Sequence, residues 1–461
     1  MAWGTDHDLI QRSGRSQRMT VDSSSGAATP RGRTAEVVLD VEHLCTWFGV
    51  GGGRLRGGDE AVVRAVDDVS FDIRSGEIFG LVGESGSGKT TLGRTILGLV
   101  KATSGHIRWK DQDLAQLSEQ QFRPLRRHLG MIFQDPASAL NPAMTIAQGV
   151  GHPLRIHGLA RNRREARAKV VEMLERCGLA PAEHFLDVYP DDLSGGQKQR
   201  CVIARALITE PELVIADEPV ASLDMSVRAK VLELMLDLKE QVGLTYLYIT
   251  QDLASGRFLC DRIGILYLGQ MVEWGDSSRV YDAPQHPYTR ALLDAVPLPD
   301  PSRRGRDRRL PRGEIPDALA PPAGCRFHPR CPAAFEPCGW EGRDLIDTIE
   351  DRWTRVDEQT FERELEMIGG ELDAVEIGRD EVHFPTADAE TVARWLREHG
   401  PHLPTAVFSA VDDVTTDRDG VSVRFSDGPE PALQTVEGRE VACHLHGVTV
   451  RKGGTHVGEP G

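Results

Sequence analysis

A layered α/β fold is what this sequence predicts, and three observations carry the prediction. Short apolar runs recur at Ile78–Val82 and at residues 129–133, 213–216 and 244–250. Runs without alternation suit strands buried on both faces. Segments of helical spacing separate them, as crossovers between parallel strands require. The first run feeds directly into Gly83-Glu84-Ser85-Gly86-Ser87-Gly88-Lys89-Thr90, which reads G-x-x-x-x-G-K-T, a phosphate-binding loop.

The elements follow in chain order. Residues 1–34 lack the apolar stretch of a secretory signal and are rich in Ser, Gly, Arg and Asp, the composition of a disordered tail. Residues 36–44 and 61–73 alternate apolar and polar side chains as half-buried strands do, and the Gly-rich stretch 49–59 between them reads as a loop. A helix is expected from about residue 88 to 100, directly after the phosphate loop. Residues 143–178 are Arg- and Glu-rich with helical spacing. Two further helices are expected at 196–208, stopping before Pro211, and at 226–241. Beyond Tyr267 come short elements and Pro-rich linkers at 297–301 and 311–322, then a cysteine cluster at 325–338.

Charge divides the chain. The formal net charge is −16, yet residues 341–430 hold 24 acidic and 9 basic side chains, a net −15 that leaves −1 for the rest. Acidity therefore belongs to one segment, and it disfavours nucleic acid as that segment's partner. The segment is not of low complexity: Ala389–His399 has helical spacing and Gly420–Phe425 alternates like a strand, so partial folding is expected. No apolar stretch reaches the roughly 18 residues of a membrane span. Without an export signal an ATP-using chain belongs in the cytosol, where disulfides between its eight cysteines are not expected.

The chemistry centres on phosphate. Glycines let backbone N–H groups curl around the β- and γ-phosphates, and the helix beginning near Gly88 adds its N-terminal dipole. Gly83, Ser85, Gly86, Ser87, Gly88, Lys89, Thr90 and Thr91 are the candidate phosphate residues. Lys89 supplies a point charge and the Thr90 hydroxyl a ligand for Mg²⁺. The strand at 213–216 ends in Asp217-Glu218: Asp217 suits the Mg²⁺ hydration shell, and Glu218 suits a general base for the attacking water. Leu193-Ser194-Gly195-Gly196-Gln197 is a second Gly-rich turn at a helix start. One γ-phosphate has no need of two such ends unless they come from two chains.

Phosphate loop, Gln134, the LSGGQ pentapeptide, Asp217-Glu218 and Ser222-Leu223-Asp224 together resemble, in that order, the nucleotide-binding subunits of ABC transporters, over about residues 37–293. The resemblance implies a P-loop NTPase domain of ABC type: a RecA-like core, a β-subdomain and a helical subdomain, here with a C-terminal extension. It implies a head-to-tail dimer holding two ATPs with Mg²⁺. Ser194, Gly195, Gly196 and Gln197 would meet the ATP on the partner's phosphate loop. Gln134 would link Mg²⁺ and water to the transport gate, and Asp224 would bridge the two sites. An aromatic before the Gly-rich loop would stack on adenine, Phe48 first and Trp47 second. The pattern departs at Gln251, where the family has His. Gln donates hydrogen bonds but carries no charge and shuttles no proton. Two readings stay open: this site hydrolyses slowly or mainly binds, or Gln251 suffices because positioning dominates phosphoryl transfer.

Residues 134–142 (Gln-Asp-Pro-Ala-Ser-Ala-Leu-Asn-Pro) and 286–293 (His-Pro-Tyr-Thr-Arg-Ala-Leu-Leu) look like the peptide/nickel importer branch. The first stretch lies where such ATPases meet membrane subunits. The implied partners are a second ABC ATPase subunit, favoured as a paralogue by Gln251, two transmembrane permeases and an extracytoplasmic binding protein. The implied place is the cytoplasmic face of the membrane, and the implied cargo di- or oligopeptides, with nickel or another solute as the alternative. A soluble ABC ATPase acting on nucleic acid or ribosomes would show two fused cassettes or sustained heptads, and this chain has one phosphate loop.

Cys325, Cys331 and Cys338 sit together, and Cys443 is the distant fourth thiol. An S₄ set suits an iron–sulfur cluster or zinc, and the oligopeptide branch has a similar quartet that in some members carries a [4Fe–4S] cluster. Here the acidic segment must loop out for Cys443 to return, at an entropic cost that grows slowly with length. Cys45, Cys177, Cys201 and Cys260 read as core residues, and His286 and His328 as capping or packing residues. The expected division is 1–35 tail, 36–296 ATPase domain, 297–340 linker and cysteine-bearing extension, 341–430 acidic insertion, and 431–461 return segment with Cys443 and tail.

Overall fold

The computed structural model describes residues 36–50, 61–296, 311–370 and 372–447. The expected N-terminal tail, most of the Gly-rich loop and the first Pro-rich linker lie outside the described residues. The described strands are, in chain order, β1 (Val37–Val50), β2 (Ala61–Arg74), β3 (Ile78–Val82), β4 (Ser104–Trp109), β5 (Gln112–Asp113), β6 (Leu129–Ile132), β7 (Leu213–Asp217) and β8 (Thr245–Thr250). There follow β9 (Arg262–Tyr267), β10 (Gln270–Asp276), β11 (Glu376–Ile377), β12 (Glu381–Pro385), β13 (Val411–Thr416), β14 (Gly420–Phe425), β15 (Gln434–Val436) and β16 (Arg439–Val441).

Three sheets result. The largest runs β15-β16-β10-β9-β3-β8-β7-β6. Its centre, from β9 to β6, is parallel. Every residue of β3, β7 and β8 is buried, the state that their unbroken apolar sequences predict. The second sheet, β2-β1-β4-β5, is antiparallel and packs on the first through Phe71 and Phe79, whose rings stack at 4.9 Å. Such a pair adds about 0.5–1.5 kcal/mol beyond the area it buries.

Between β6 and β7 lies the helical part. The stretch 143–178 forms two helices, Ile146–Ile156 and Arg163–Arg176, separated by Gly158 in the left-handed region and restarted by the Asn162 cap. They pack with helix Gly195–Leu207 on a core that includes Leu154, Leu174 and Val202. Helix Met225–Val242 starts at an Asp224 cap and stops at Gly243, again left-handed.

The region after Tyr267 is more ordered than its composition suggests. β10 extends the main sheet antiparallel to β9, and β16 of the return segment extends it again, pairing Glu273 with Val441. Fully buried Glu273 accepts from the backbone N–H groups of Gln285 and His286, both at 2.9 Å. Arg439 lies 4.0 Å from the same carboxylate.

The acidic segment is folded throughout its described residues, beyond the expected helix and strand. Helices Gly342–Trp353, Glu358–Met367 and Ala389–His399 pack with the sheet β11-β12-β14-β13 around a core of its own that includes Ile349, Phe384, Leu396 and Val423. Most acidic side chains face out, with Asp344 and Glu364 buried as exceptions, so net charge conceals an ordinary apolar core. Its two ends abut: a Cβ added to Gly428 would fall 1.9 Å from the Cα of Gly339.

Candidate functional site

The phosphate loop runs from the end of β3 into helix Lys89–Ile96. Gly86 and Gly88 take φ of 78° and 102°. A Cβ on Gly88 would sit 2.0 Å from the Ala65 carbonyl oxygen, so only glycine fits this turn. The Lys89 ammonium lies over the loop, donating to the carbonyls of Gly83 and Glu84 at 2.8 Å each. Burial pulls its pKa below the usual lysine range, offset in part by Glu218, Asp217 and Glu84.

At the mouth of the loop, a pocket is lined by Ser85 to Thr91, Gln134, Glu218, Gln251, Val63, Arg64, Ala65, Leu268, Gly269 and Ala318. The Thr90 hydroxyl donates to Asp217 at 2.9 Å, which sets a hydroxyl and a carboxylate side by side at the helix start, a pair that fits Mg²⁺. Burial raises the Asp217 carboxyl above its ordinary range, with the Thr90 hydrogen bond opposing.

Glu218 is held at both oxygens. Gln251 Nε2 donates to one at 2.6 Å and Gln134 Nε2 to the other at 2.9 Å. Its backbone takes φ of 46°, in the left-handed region, a conformation costing on the order of 1–3 kcal/mol for a non-glycine residue and found most often where a side chain must be aimed. Gln251, the position that departs from the family pattern, is thus within the site and bonded to the carboxylate.

Other expected residues lie elsewhere. Ser194 caps helix Gly195–Leu207 in a capping box with Gln197, and Ser194 and Gly195 are exposed. A Cβ on Gly196 would meet Val227 at 2.5 Å. None of Ser194, Gly195, Gly196 and Gln197 lines the pocket, and Asp224 serves as the cap of the next helix. Phe48 and Trp47 are exposed on β1 and also stand outside the lining. Their cross-strand partners Val63 and Arg64 are in it, and the Trp47 indole bonds Asp67 at 3.1 Å. Residues that sequence reasoning missed include Val63 to Ala65, Leu268, Gly269 and Ala318. Apart from the Arg64 guanidinium they carry no phosphate chemistry, and only the fold places them at the site.

Cys325, Cys331, Cys338 and Cys443 line one enclosed cavity with His286, His328 and His444. All four are free thiols, and burial pushes Cys331 and Cys443 up to about 12 and about 11. The distant thiol does return, because the acidic segment leaves and re-enters at touching glycines. Among the described residues no group of three or more His, Cys, Asp or Glu side chains is arranged to hold a metal ion, so neither the expected iron–sulfur site nor its zinc alternative is preassembled in this arrangement. His286 caps helix Pro287–Ala295, and His328 bonds the Cys325 carbonyl and Asp344, each at 2.9 Å. Cys45, Cys177, Cys201 and Cys260 are buried apart from the quartet.

Comparison with known proteins bears on this geometry. The ABC transporter family pattern matches residues 66–221, and the pattern of the oligopeptide/dipeptide transporter C-terminal region matches residues 272–338. The chain is 45% identical over 309 residues to the oligopeptide transport ATP-binding protein AppF of Bacillus subtilis (strain 168), covering 66% of this chain and 92% of AppF. The chain belongs to this family of ABC transporter ATP-binding proteins. It is also 45% identical over 277 residues to the oligopeptide transport ATP-binding protein OppF of Escherichia coli (strain K12), covering 60% of this chain and 82% of OppF.

Family membership makes the chain an ATPase whose hydrolysis is coupled to transport, with ATP and Mg²⁺ as cofactors and membrane permeases as partners. No helix among the described residues is long and apolar enough to cross a membrane. The C-terminal family pattern stops at residue 338, three residues short of the acidic segment.

Proposed function

We propose that this chain hydrolyses ATP to energise import of di- or oligopeptides, acting at the cytoplasmic face of the membrane on two permease subunits fed by an extracytoplasmic binding protein. The observation that carries the reading is the two-point hold on Glu218 above the phosphate loop. Both carboxylate oxygens accept from uncharged amides. The side chain is thereby aimed while it stays free to take the proton of a water attacking the γ-phosphate. Gln251 acts here by positioning. Thr90 and Asp217 would hold Mg²⁺, which would supply charge to the phosphates, and the Lys89 ammonium is placed over the loop where it would donate to phosphate oxygens. Nickel or another solute is the alternative cargo.

A second ATPase subunit is part of the proposal. Ser194 and Gly195 present a helix N-terminus to solvent, outside the pocket of their own phosphate loop, which suits an ATP carried by a partner. The proposed test combines two measurements. The Glu218→Gln chain should dimerise on ATP in light scattering, with itself or with a co-expressed paralogue. Proteoliposomes carrying the complete transporter should take up labelled peptide only with hydrolysable ATP. A monomer at saturating ATP would remove the paired site, and uptake of nickel without peptide would replace the cargo.

The thiol cavity supports a resident [4Fe–4S] cluster held by Cys325, Cys331, Cys338 and Cys443. Two features fit a group rich in sulfur. The Ala333 N–H donates to Cys331 Sγ at 3.4 Å. His286 receives the Tyr288 N–H on Nδ1, so the neutral ring carries its proton on Nε2, a buried donor without a partner. The cluster would supply a rigid cross-link among the four thiols. Anaerobic purification with iron and sulfide analysis tests this, and colourless metal-free protein would reject it.

A further inference from the structure

We propose that Arg330, carried on the cysteine-bearing extension, acts on the ATP site through Glu84 by neutralising this carboxylate of the phosphate loop, and so sets the affinity of the site for ATP. The loop contains a carboxylate, Glu84, where an anionic triphosphate must bind. Arg330 meets it with two nitrogens, at 2.9 and 3.3 Å, from 246 residues away in sequence. The same glutamate is fixed at two more points. Its N–H donates to the Tyr288 hydroxyl at 3.1 Å, and its carbonyl accepts from Lys89 at 2.8 Å.

Arg330 is itself set in place. It closes the short turn His328–Arg330 between Cys325 and Cys331, and its guanidinium lies 5.9 Å from the ring centres of both Tyr267 and Phe327. The extension touches the pocket twice more. Arg326 bonds Asp67 and the Leu268 carbonyl, and Ala318 lines the pocket wall. Leu268 lines the same wall.

Two effects follow from the Arg330–Glu84 pair. It cancels a negative charge that would repel ATP, and it spares the buried guanidinium an unpaired charge. At an effective dielectric of about 20, one uncompensated charge several ångströms from the phosphates weakens binding by roughly 10-fold or more. The penalty scales with ligand charge, so ATP suffers more than ADP.

The test is equilibrium binding of Mg·ATP and Mg·ADP to the full-length chain by calorimetry. Arg330→Ala should weaken ATP about 10-fold and ADP less, with Arg330→Lys restoring part of the loss. Removing the charge from the other side separates repulsion from general damage. Glu84→Gln should bind ATP within about 3-fold of the parent, and should rescue Arg330→Ala when the two are combined. Equal losses for ATP and ADP, or no rescue by Glu84→Gln, would overturn the proposal. If Arg330→Ala fails to fold, Arg330→Gln with and without Glu84→Gln decides on the same criterion.

Discussion

At the residue scale the site depends on where two glutamines point. Removing one preorganised donor from a catalytic site costs about 10²-fold in turnover, so Gln251→Ala should lower kcat by that order. Gln251→His should stay within several-fold of the parent if positioning is the whole task, and a large gain would mean that Gln251 limits this site. No histidine lines the described pocket. The rate measured from pH 6 to 8 should therefore lack the inflection near pH 6.5 that a titrating imidazole imposes. Gly88 makes a stricter demand, since Ala65 blocks any side chain and φ is 102°. Gly88→Ala should abolish ATP binding in calorimetry while leaving most of the secondary structure. The loop residues, Gln134, Glu218 and Gln251 that line the pocket were legible, because each is tied to a strand end or helix start that the sequence marks. Phe48 illustrates the limit. An aromatic before a Gly-rich loop fits adenine stacking on sequence, whereas the described pocket wall is built from its strand partner Val63 and the next two residues, Arg64 and Ala65.

At the scale of elements, buried parallel strands and capped helices were readable because burial on two faces and cap chemistry leave local signatures. The acidic segment was harder to read. Its helix Ala389–His399 and strand Gly420–Phe425 stand where the sequence predicts them, but its core joins residues far apart in the chain. One interior glutamate ties that core together. Glu364 accepts from Arg352 at 2.8 Å and from the indoles of Trp353 and Trp395 at 2.9 and 3.4 Å. Burial pushes its carboxyl up, but Arg352 and the indoles outweigh it and hold the pKa below the ordinary value. A depressed carboxylate stabilises fully above the unfolded value, about 4.3, and its contribution is lost as pH falls through the lower folded value. Acid titration should change tryptophan fluorescence in that window below pH 4.3, and Glu364→Gln should remove the transition.

At the scale of the whole molecule, the acidic segment sits between Cys338 and the strand that returns Cys443, yet its ends meet. Deleting residues 340–427 and joining Gly339 to Gly428 should leave an ATPase that folds and binds ATP. His328 would lose Asp344, a cost of about 1–3 kcal/mol visible in thermal denaturation. An aggregated product would show that the segment is needed to build the ATPase itself. The sequence could give the segment's composition but not this proximity, since nothing local records that two glycines 89 positions apart touch. Such a junction is a ready port for engineering: a fluorescent reporter seated there would ride on the ATPase without lining the phosphate-loop pocket.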